Sequence, residues 1–448
     1  MTENPTQALA DFVTAARLAD LPEQSRERAK ITLIDTIASA LMGIGDPEVA
    51  RIEKLALSVA PTGNSPVVGG KPLGNGAAIL LNGYLINAAT VCDVHQPTMC
   101  HTTPAAFPPA LAIGVERKVS GADFLLAFAL GVEIAIRVGV GSNYPAFRAN
   151  GWHSPGVWGP FGSAAASGKL LGLDSARMRN AFGLAGSQSG GTFAAWGTPT
   201  VKFHQSRGSL SGYLAANLAD AGFQSSANVL TAADGGLYRA CSDGGQPELA
   251  LDGMGDRWEF ENLSLSVHPL ATVLAGAAIA LVDAANTAGA GSGDVRRVKL
   301  SLGWRAFGMH AEMQWPDPFH ARLSARYVAA VAVADRACGP DQFTTTRIAD
   351  PDLGRYARQN VEVVRDDSLG ESGSAVELEF ADGQVASAGG VVPPGAPSAP
   401  LSLDDVRAKF LAAAERVQMD DWAPKALARL ERIEEAAEID GDLVGSQP

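Results

Sequence analysis

The chain has 448 residues, 46% of them hydrophobic and 19% charged, which excludes a disordered chain because enough apolar surface is present to build packed cores. Its 35 Lys and Arg residues are outnumbered by 48 Asp and Glu residues, and a net charge of −13 argues against a nucleic-acid-binding protein. The length exceeds that of one ordinary core, so we expect two or three domains.

Apolar positions at helical spacing dominate the first 280 or so residues, where no alternating β-branched run occurs. Small residues are frequent in these segments, so the helices can pack closely. This part of the chain is therefore predicted to be all-helical. The predicted helices span residues 6–20, 24–41, 76–91, 124–138, 160–171, 175–187 and 208–221.

The pattern changes near residue 295, where alternating apolar and polar positions predict strands at 295–302, 361–364, 375–380 and 384–387. Asp382 and Gly383 between the last two strands indicate a hairpin turn. Helices are predicted at residues 321–336, 402–418 and 421–438. The predicted fold is α+β, with a large all-α domain of residues 1–267 and 401–448 and a smaller α/β domain of residues 268–400.

The cysteines, the apolar runs and the first 20 residues indicate the cellular compartment. No cysteine pair has the C-x-x-C spacing of a zinc or redox site, which favours isolated buried thiols in a reducing cytoplasm. The apolar run at residues 270–282 is shorter than the roughly 20 residues that cross a bilayer. Residues 1–20 lack a secretory signal pattern. We therefore expect a cytoplasmic protein with no membrane partner.

The first polar cluster, at residues 92–103, directly follows a predicted buried helix. It contains Asp93, His95 and His101. A carboxylate beside an imidazole suits acid–base chemistry, because it orients the ring and raises its basicity. Metal binding and a purely structural role remain alternatives, although a third ligand at typical metal-site spacing is missing. No metal site is predicted.

Two further clusters precede predicted helices. His153 lies before a helix start, where backbone N–H groups can meet an anion, although a histidine that caps a turn fits equally well. Lys202, His204 and Arg207 lie within six residues and form a local basic group in an acidic chain. Such a group suits a carboxylate or phosphate ligand, and a solvated loop is the alternative.

The fourth cluster places His320, Ser324 and Tyr327 on one helix face. Tyr327 can donate a proton, although a tyrosine packed at a helix start is the more usual case. The seven histidines all lie in the middle of the chain. They are His95, His101, His153, His204, His268, His310 and His320.

Ordered short motifs across about 400 residues make the sequence similar to the MmgE/PrpD family, whose members include 2-methylcitrate dehydratase, cis-aconitate decarboxylase and iminodisuccinate epimerase. The motifs lie at residues 34–43, 81–83, 93–101, 151–162, 171–174, 185–187, 202–204, 218–223, 324–327, 400–402 and 409–410. The resemblance implies a large helical domain, a smaller α/β domain, an active site in the cleft between them and a homodimer. It also implies chemistry without a cofactor or an iron–sulfur cluster.

The same resemblance implies an active site drawn from both domains. A proton is removed next to a carboxylate of a small anionic substrate, and fixed donors stabilise the resulting anion. A hydro-lyase similar to 2-methylcitrate dehydratase is expected, with epimerase, decarboxylase, non-catalytic carboxylate-binding homologue and metal-dependent hydrolase as alternatives. The resemblance implies active-site roles for Asp93, His101, His153, Lys202 and Tyr327, and the local chemistry adds His204, Arg207 and His268. The expected catalytic residues are Asp93, His101, His153 and Tyr327, and the expected substrate-binding residues are Lys202, His204, Arg207 and His268.

The sequence departs from the family pattern at five positions. Cys92 stands where the family has the first of two aspartates. At the domain junction, His268 takes the position of an aromatic residue, and Ser266, Ala271 and Ala275 replace a lysine, a cysteine and a histidine of the family motif. The missing lysine would remove one counter-charge, which predicts a substrate less anionic than 2-methylcitrate.

Overall fold

A computed structural model describes residues 4–287 and 295–446, which divide into two compact units. The first unit consists of residues 4–88, 92–265 and 401–446, and the second of residues 89–91, 266–287 and 295–400. The first unit is helical and the second combines helices with a small sheet, which confirms the predicted fold class. Within the described ranges, none of the helices is both long and apolar enough to cross a bilayer.

The helices of the first unit pack around a central helix, α8, which contacts α5, α6, α9 and α10. Their bounds are α1 Pro5–Ala15, α2 Glu23–Gly43, α3 Val49–Val59, α4 Asn75–Ala88, α5 Thr103–Arg117, α6 Gly121–Val140, α7 Tyr144–Ala149, α8 Ser154–Leu171, α9 Ser175–Ser187, α10 Thr200–Asp220, α11 Leu237–Cys241, α18 Leu403–Arg416 and α19 Ala423–Glu431. Two glycines allow the close crossings. A Cβ at Gly162 would lie 2.4 Å from the carbonyl oxygen of Gly131, and one at Gly212 would lie 2.3 Å from that of Pro160.

Two helices that begin next to predicted site residues, or contain them, start earlier than the sequence analysis expected. Helix α8 begins at Ser154, directly after His153, and α10 begins at Thr200. The prediction began this helix at residue 208 and placed residues 202–207 before it, and that was wrong. The polar side chains Lys202, His204 and Arg207 make contacts inside the unit, described below, which compensate for their burial.

The second unit is built on a four-stranded sheet with strand order β2-β1-β3-β4. Strand β1 pairs in parallel with β2 and antiparallel with β3, and β3 pairs antiparallel with β4. The bounds are α12 Thr272–Thr287, β1 Val295–Leu302, α13 Trp304–His310, α14 Pro318–Ala321, α15 Ala325–Asp335, α16 Thr345–Ile348, α17 Pro351–Asn360, β2 Val361–Arg365, β3 Ser374–Phe380 and β4 Val385–Gly389.

The strand pattern of β1 explains which sheet face is covered. Val298, Leu300 and Leu302 are fully buried, while the alternating Arg297 and Lys299 are exposed. Helices α12 and α15 pack against the sheet. The predicted hairpin between β3 and β4 is present, and Gly383 adopts a φ of +85° at its turn.

A buried ion pair joins α18 to α2 within the first unit. The Nζ atom of Lys409 lies 2.6 Å from Oδ1 of Asp35 and donates to Oγ of Ser39 at 3.0 Å. Burial raises the pKa of Asp35, and the charge of Lys409 opposes that rise. The pair therefore fixes α18, which follows the second unit in sequence, to α2.

Replacing Lys409 by methionine should lower the free energy of unfolding by about 3 kcal/mol, because the Asp35 carboxylate then lies buried without its counter-charge. Urea denaturation followed by circular dichroism measures the effect. The double variant Asp35→Asn/Lys409→Met removes both charges and should recover most of the loss. A single variant within about 0.5 kcal/mol of the wild type would contradict the assignment.

Candidate active site

The segment between α4 and α5 is a tight loop organised by the carboxylate of Asp93. Oδ2 accepts hydrogen bonds from N and Oγ1 of Thr102 at 2.7 and 2.8 Å, and Oδ1 accepts from N and Oγ1 of Thr103 at 3.2 and 2.5 Å. The side chain is fully buried. Asp93 thus caps the start of α5, and both of its oxygens are engaged by donors.

His101 is held in one tautomer by the same loop. Its Nδ1 lies 2.5 Å from the backbone carbonyl oxygen of Asp93, and a carbonyl can only accept, so Nδ1 carries the hydrogen. The lone pair is therefore on Nε2. Burial lowers the pKa of the His101 ring, and the charge of Lys202 lowers it further. The charge of Asp93 opposes this shift without reversing it, so a neutral ring is favoured. Cys92 Sγ lies 3.5 Å from Nδ1, and burial raises the pKa of its thiol.

His153 and His204 form a direct pair, with their Nδ1 atoms 3.1 Å apart. His153 precedes α8 and donates its backbone N–H to the carbonyl of Gly191 at 2.9 Å, and His204 lies in the second turn of α10. Each residue is only 8% exposed. Burial lowers the pKa of both histidines. The fields of His204, His101 and Arg148 lower the pKa of His153 further, so the three imidazoles share one neighbourhood.

Lys202 places an ammonium group in that neighbourhood. It lies in the first turn of α10, is 6% exposed, and its Nζ donates to the carbonyl of Ala88. The charge of Lys202 acts on the pKa values of both His101 and Cys92. The first unit thus brings together His101, His153, His204 and Lys202, from segments far apart in sequence.

The guanidinium of Arg207 is engaged by backbone carbonyl groups. Its Nη1 donates to the carbonyl of Gln188 at 2.8 Å, and its Nη2 donates to those of Gly190 and Gly156 at 2.7 and 3.1 Å. Burial lowers the pKa of Arg207. Its guanidinium therefore ties α10 to the start of α8 and to the segment after α9, which positions both members of the histidine pair.

The two remaining predicted site residues, Tyr327 and His268, belong to the second unit. The Tyr327 hydroxyl donates to the carbonyl of Gln342 at 2.6 Å, its ring packs beside Trp315 and Phe343, and burial raises its pKa. Nδ1 of His268 donates to the carbonyl of Cys338 at 3.1 Å, and burial lowers its pKa. Both side chains make well-defined contacts inside that unit.

One position that shapes the site was missed by the sequence analysis. Gly191 adopts a φ of +135°, and a Cβ there would lie 2.9 Å from Nδ1 of His204. The signal available was the Gly190 and Gly191 pair between two predicted helices.

Across residues 4–287 and 295–446, no group of three or more His, Cys, Asp or Glu side chains has a metal-binding arrangement.

Comparison with protein families identifies the chain. Residues 7–250 match the MmgE/PrpD N-terminal domain, and residues 268–430 match the MmgE/PrpD C-terminal domain. The chain belongs to the MmgE/PrpD family. The resemblance predicted from the short motifs is thereby confirmed.

Curated relatives of this family member are named as lyases. A cis-aconitate decarboxylase-like protein, oryM, of Aspergillus oryzae is 28% identical over 465 aligned positions, covering 96% of this chain and 93% of the relative. Cis-aconitate decarboxylase of Aspergillus terreus is 26% identical, covering 84% and 83% of the two chains. The Homo sapiens enzyme of that name is 27% identical, covering 100% and 96%. These relatives support a lyase-type enzyme of the family and leave the reaction itself open.

Replacing Asp93 by asparagine should lower the free energy of unfolding by about 2 kcal/mol, because an amide keeps one acceptor oxygen and turns an NH₂ group toward two donors. Chemical denaturation measures the loss. Asp123→Asn, an exposed acid in the first turn of α6, is the matched control and should cost less than about 1 kcal/mol. Equal losses in the two variants would show that the Asp93 bonds do not hold the loop.

Proposed function

We propose that the chain is a lyase that acts on a small carboxylate substrate through an anion formed on the carbon next to a carboxylate. The observation that carries this proposal is the meeting of His101, His153 and His204 with the buried ammonium of Lys202. Neutral imidazoles transfer protons near neutral pH, and a buried ammonium stabilises negative charge more strongly than one in water. Such a set of side chains suits the formation and protonation of a carbanion.

In this proposal His101 is the base and His153 is the acid. The bond from Nδ1 of His101 to the Asp93 carbonyl leaves a lone pair on Nε2, which takes the proton from carbon. His153 donates its Nε2 hydrogen, and Lys202 holds the carboxylate that becomes enolate-like. Asp93 and Arg207 act as positioning residues, because their polar atoms are already engaged.

The first candidate reaction is loss of water, in which His153 protonates a hydroxyl leaving from the β carbon. Proton removal by a neutral, tautomer-fixed His101 favours it. The second candidate is decarboxylation, in which loss of CO₂ yields a similar carbanion that His153 protonates. The names of the curated relatives favour this candidate. Because a serine, Ser266, stands where the family has a lysine, we propose a substrate with two carboxylates.

Incubation with mono-, di- and tricarboxylic acids in D₂O, followed by NMR, tests the proposal. We expect either an olefin formed with loss of water or release of CO₂ with deuterium at carbon. His101→Gln should lower kcat about 100-fold, and Lys202→Met should lower kcat/KM by a similar factor, because each removes a group that acts on the anion. Lys299→Met, on an exposed strand position of the second unit, is the matched control.

The other outcomes of that experiment are equally informative. Deuterium exchange without loss of water or CO₂ would identify an epimerase. Binding of acids without exchange or turnover across the whole panel would identify a carboxylate-binding homologue and refute the proposed activity. Full activity of Lys202→Met would refute the assignment of the anion site.

We also propose a cytoplasmic homodimer. The four cysteines are free thiols, which suits a reducing compartment. Exposed apolar side chains lie at the end of α3, where Val59 is 51% exposed, and along α10, where Leu214 and Leu218 are 44% and 43% exposed. Val59 and Leu210 of α10 both approach Gly76, so the two rows are neighbours. An apolar patch of this kind is typical of a self-association surface.

Light scattering after size-exclusion chromatography should give about twice the chain mass of 46.3 kDa. The variant Leu214→Glu/Leu218→Glu should shift the mass toward that of one chain, because charges would be buried unpaired in the interface. Glu substitutions at the exposed Val385 and Val392 of the second unit provide the control. A monomeric wild type would refute the homodimer.

A further inference from the structure

The contact between His153 and His204 constrains where hydrogens can lie. Two Nδ1 atoms at 3.1 Å repel when both carry lone pairs and clash when both carry hydrogens. One ring must therefore donate and the other accept. In the neutral pair the outer Nε2 atoms then present one N–H group and one lone pair, so the pair offers a donor at one end and an acceptor at the other.

The surroundings of the pair keep it compact and uncharged. Among the described residues, the ionisable groups that shift the pKa values of the pair are His101 and Arg148 at His153 and Arg207 at His204. Burial and these neighbours disfavour a resident imidazolium. A Cβ at Gly191 would lie 2.9 Å from Nδ1 of His204, so a glycine at this position provides the space for the contact.

His204 contacts His153 through the Nδ1 atoms of both rings, which leaves Nε2 of His153 for the substrate. The charge of His101 also acts on the pKa of His153. We propose that His204 is a proton-relay residue, which supplies His153 with the proton it donates and removes the proton that His101 takes up.

For loss of water, the first candidate reaction, the relay, which rests on the proposed function, balances over one turnover. At the start Nδ1 of His204 carries the shared hydrogen and Nε2 of His153 carries the donor hydrogen. As His153 gives that hydrogen to the leaving hydroxyl, the shared hydrogen crosses to Nδ1 of His153, and Nε2 of His204 takes one proton from water. The proton on His101 then returns to Nε2 of His153, the shared hydrogen crosses back, and His204 releases one proton.

A substitution at His204 separates a relay from simple orientation. In His204→Asn the amide replaces Nδ1 and can hydrogen-bond to His153, but it provides no second titratable nitrogen. We expect kcat to fall at least ten-fold with KM within about two-fold of the wild type. His320→Asn, the same change at a histidine bonded to Asp317 in the second unit, is the matched control and should stay near wild type. An active His204→Asn would overturn the relay.

A second measurement needs no substrate and tests the pairing itself. In protein labelled with ¹⁵N at the histidine rings, long-range proton–nitrogen correlation spectra report each tautomer. The signals of the pair are assigned by their loss in His153→Asn and His204→Asn. We expect one ring protonated at Nδ1 and the other at Nε2. Two rings protonated only at Nε2 would overturn the inference.

The two experiments separate the failure of the relay from the failure of the proposed activity. An inactive wild type with the expected tautomers would refute the lyase and, with it, a relay in turnover, while the pairing would stand. An active wild type with an equally active His204→Asn would refute only the relay. Gly191→Ala, which brings a methyl group against Nδ1 of His204, should lower kcat in the same direction as His204→Asn.

Discussion

The geometry of the histidine cluster depends on the buried carboxylate of Asp93. Four donors from Thr102 and Thr103 converge on it, so the loop cannot move without leaving an anion buried and unpaired. The backbone carbonyl of the same residue accepts the hydrogen of His101 Nδ1. One aspartate therefore fixes the start of α5 through its side chain and the tautomer of a histidine through its backbone.

Arg207 plays the corresponding part for the other two histidines. Its guanidinium donates to carbonyls of Gly156, at the start of α8, and of Gln188 and Gly190, which follow α9. Those segments flank His153, while His204 lies one turn before Arg207 on α10. In both cases a charged group satisfies polar groups of the protein that lie next to the histidines.

Helices and strands that a local residue pattern determines were predictable from the sequence. The parts of the site that depend on contacts between residues far apart in sequence were not. Strand β1 and helix α9 have the expected bounds, because alternation and helical spacing are local signals. The start of α10 was missed because Lys202 and Arg207 look like loop residues until their carbonyl partners are known. The role of Asp93 as a cap was not predicted either, because its hydrogen-bond partners lie at the start of α5, a helix that the sequence analysis did not predict.

The buried site restricts which anion the proposed reaction can hold. The one ammonium group beside the neutral imidazoles balances the charge of a single carboxylate. Each further carboxylate would lose its hydration without gaining a counter-charge, which is unfavourable. A second carboxylate can instead accept hydrogen bonds from neutral donors, which costs less than leaving it without a partner. A third would need another cation. Ser266, where the resemblance to the family implied a lysine, is buried and donates its hydroxyl hydrogen to the carbonyl of His268 within the second unit. Two carboxylates thus match the one ammonium and the neutral donors that the proposed site can provide.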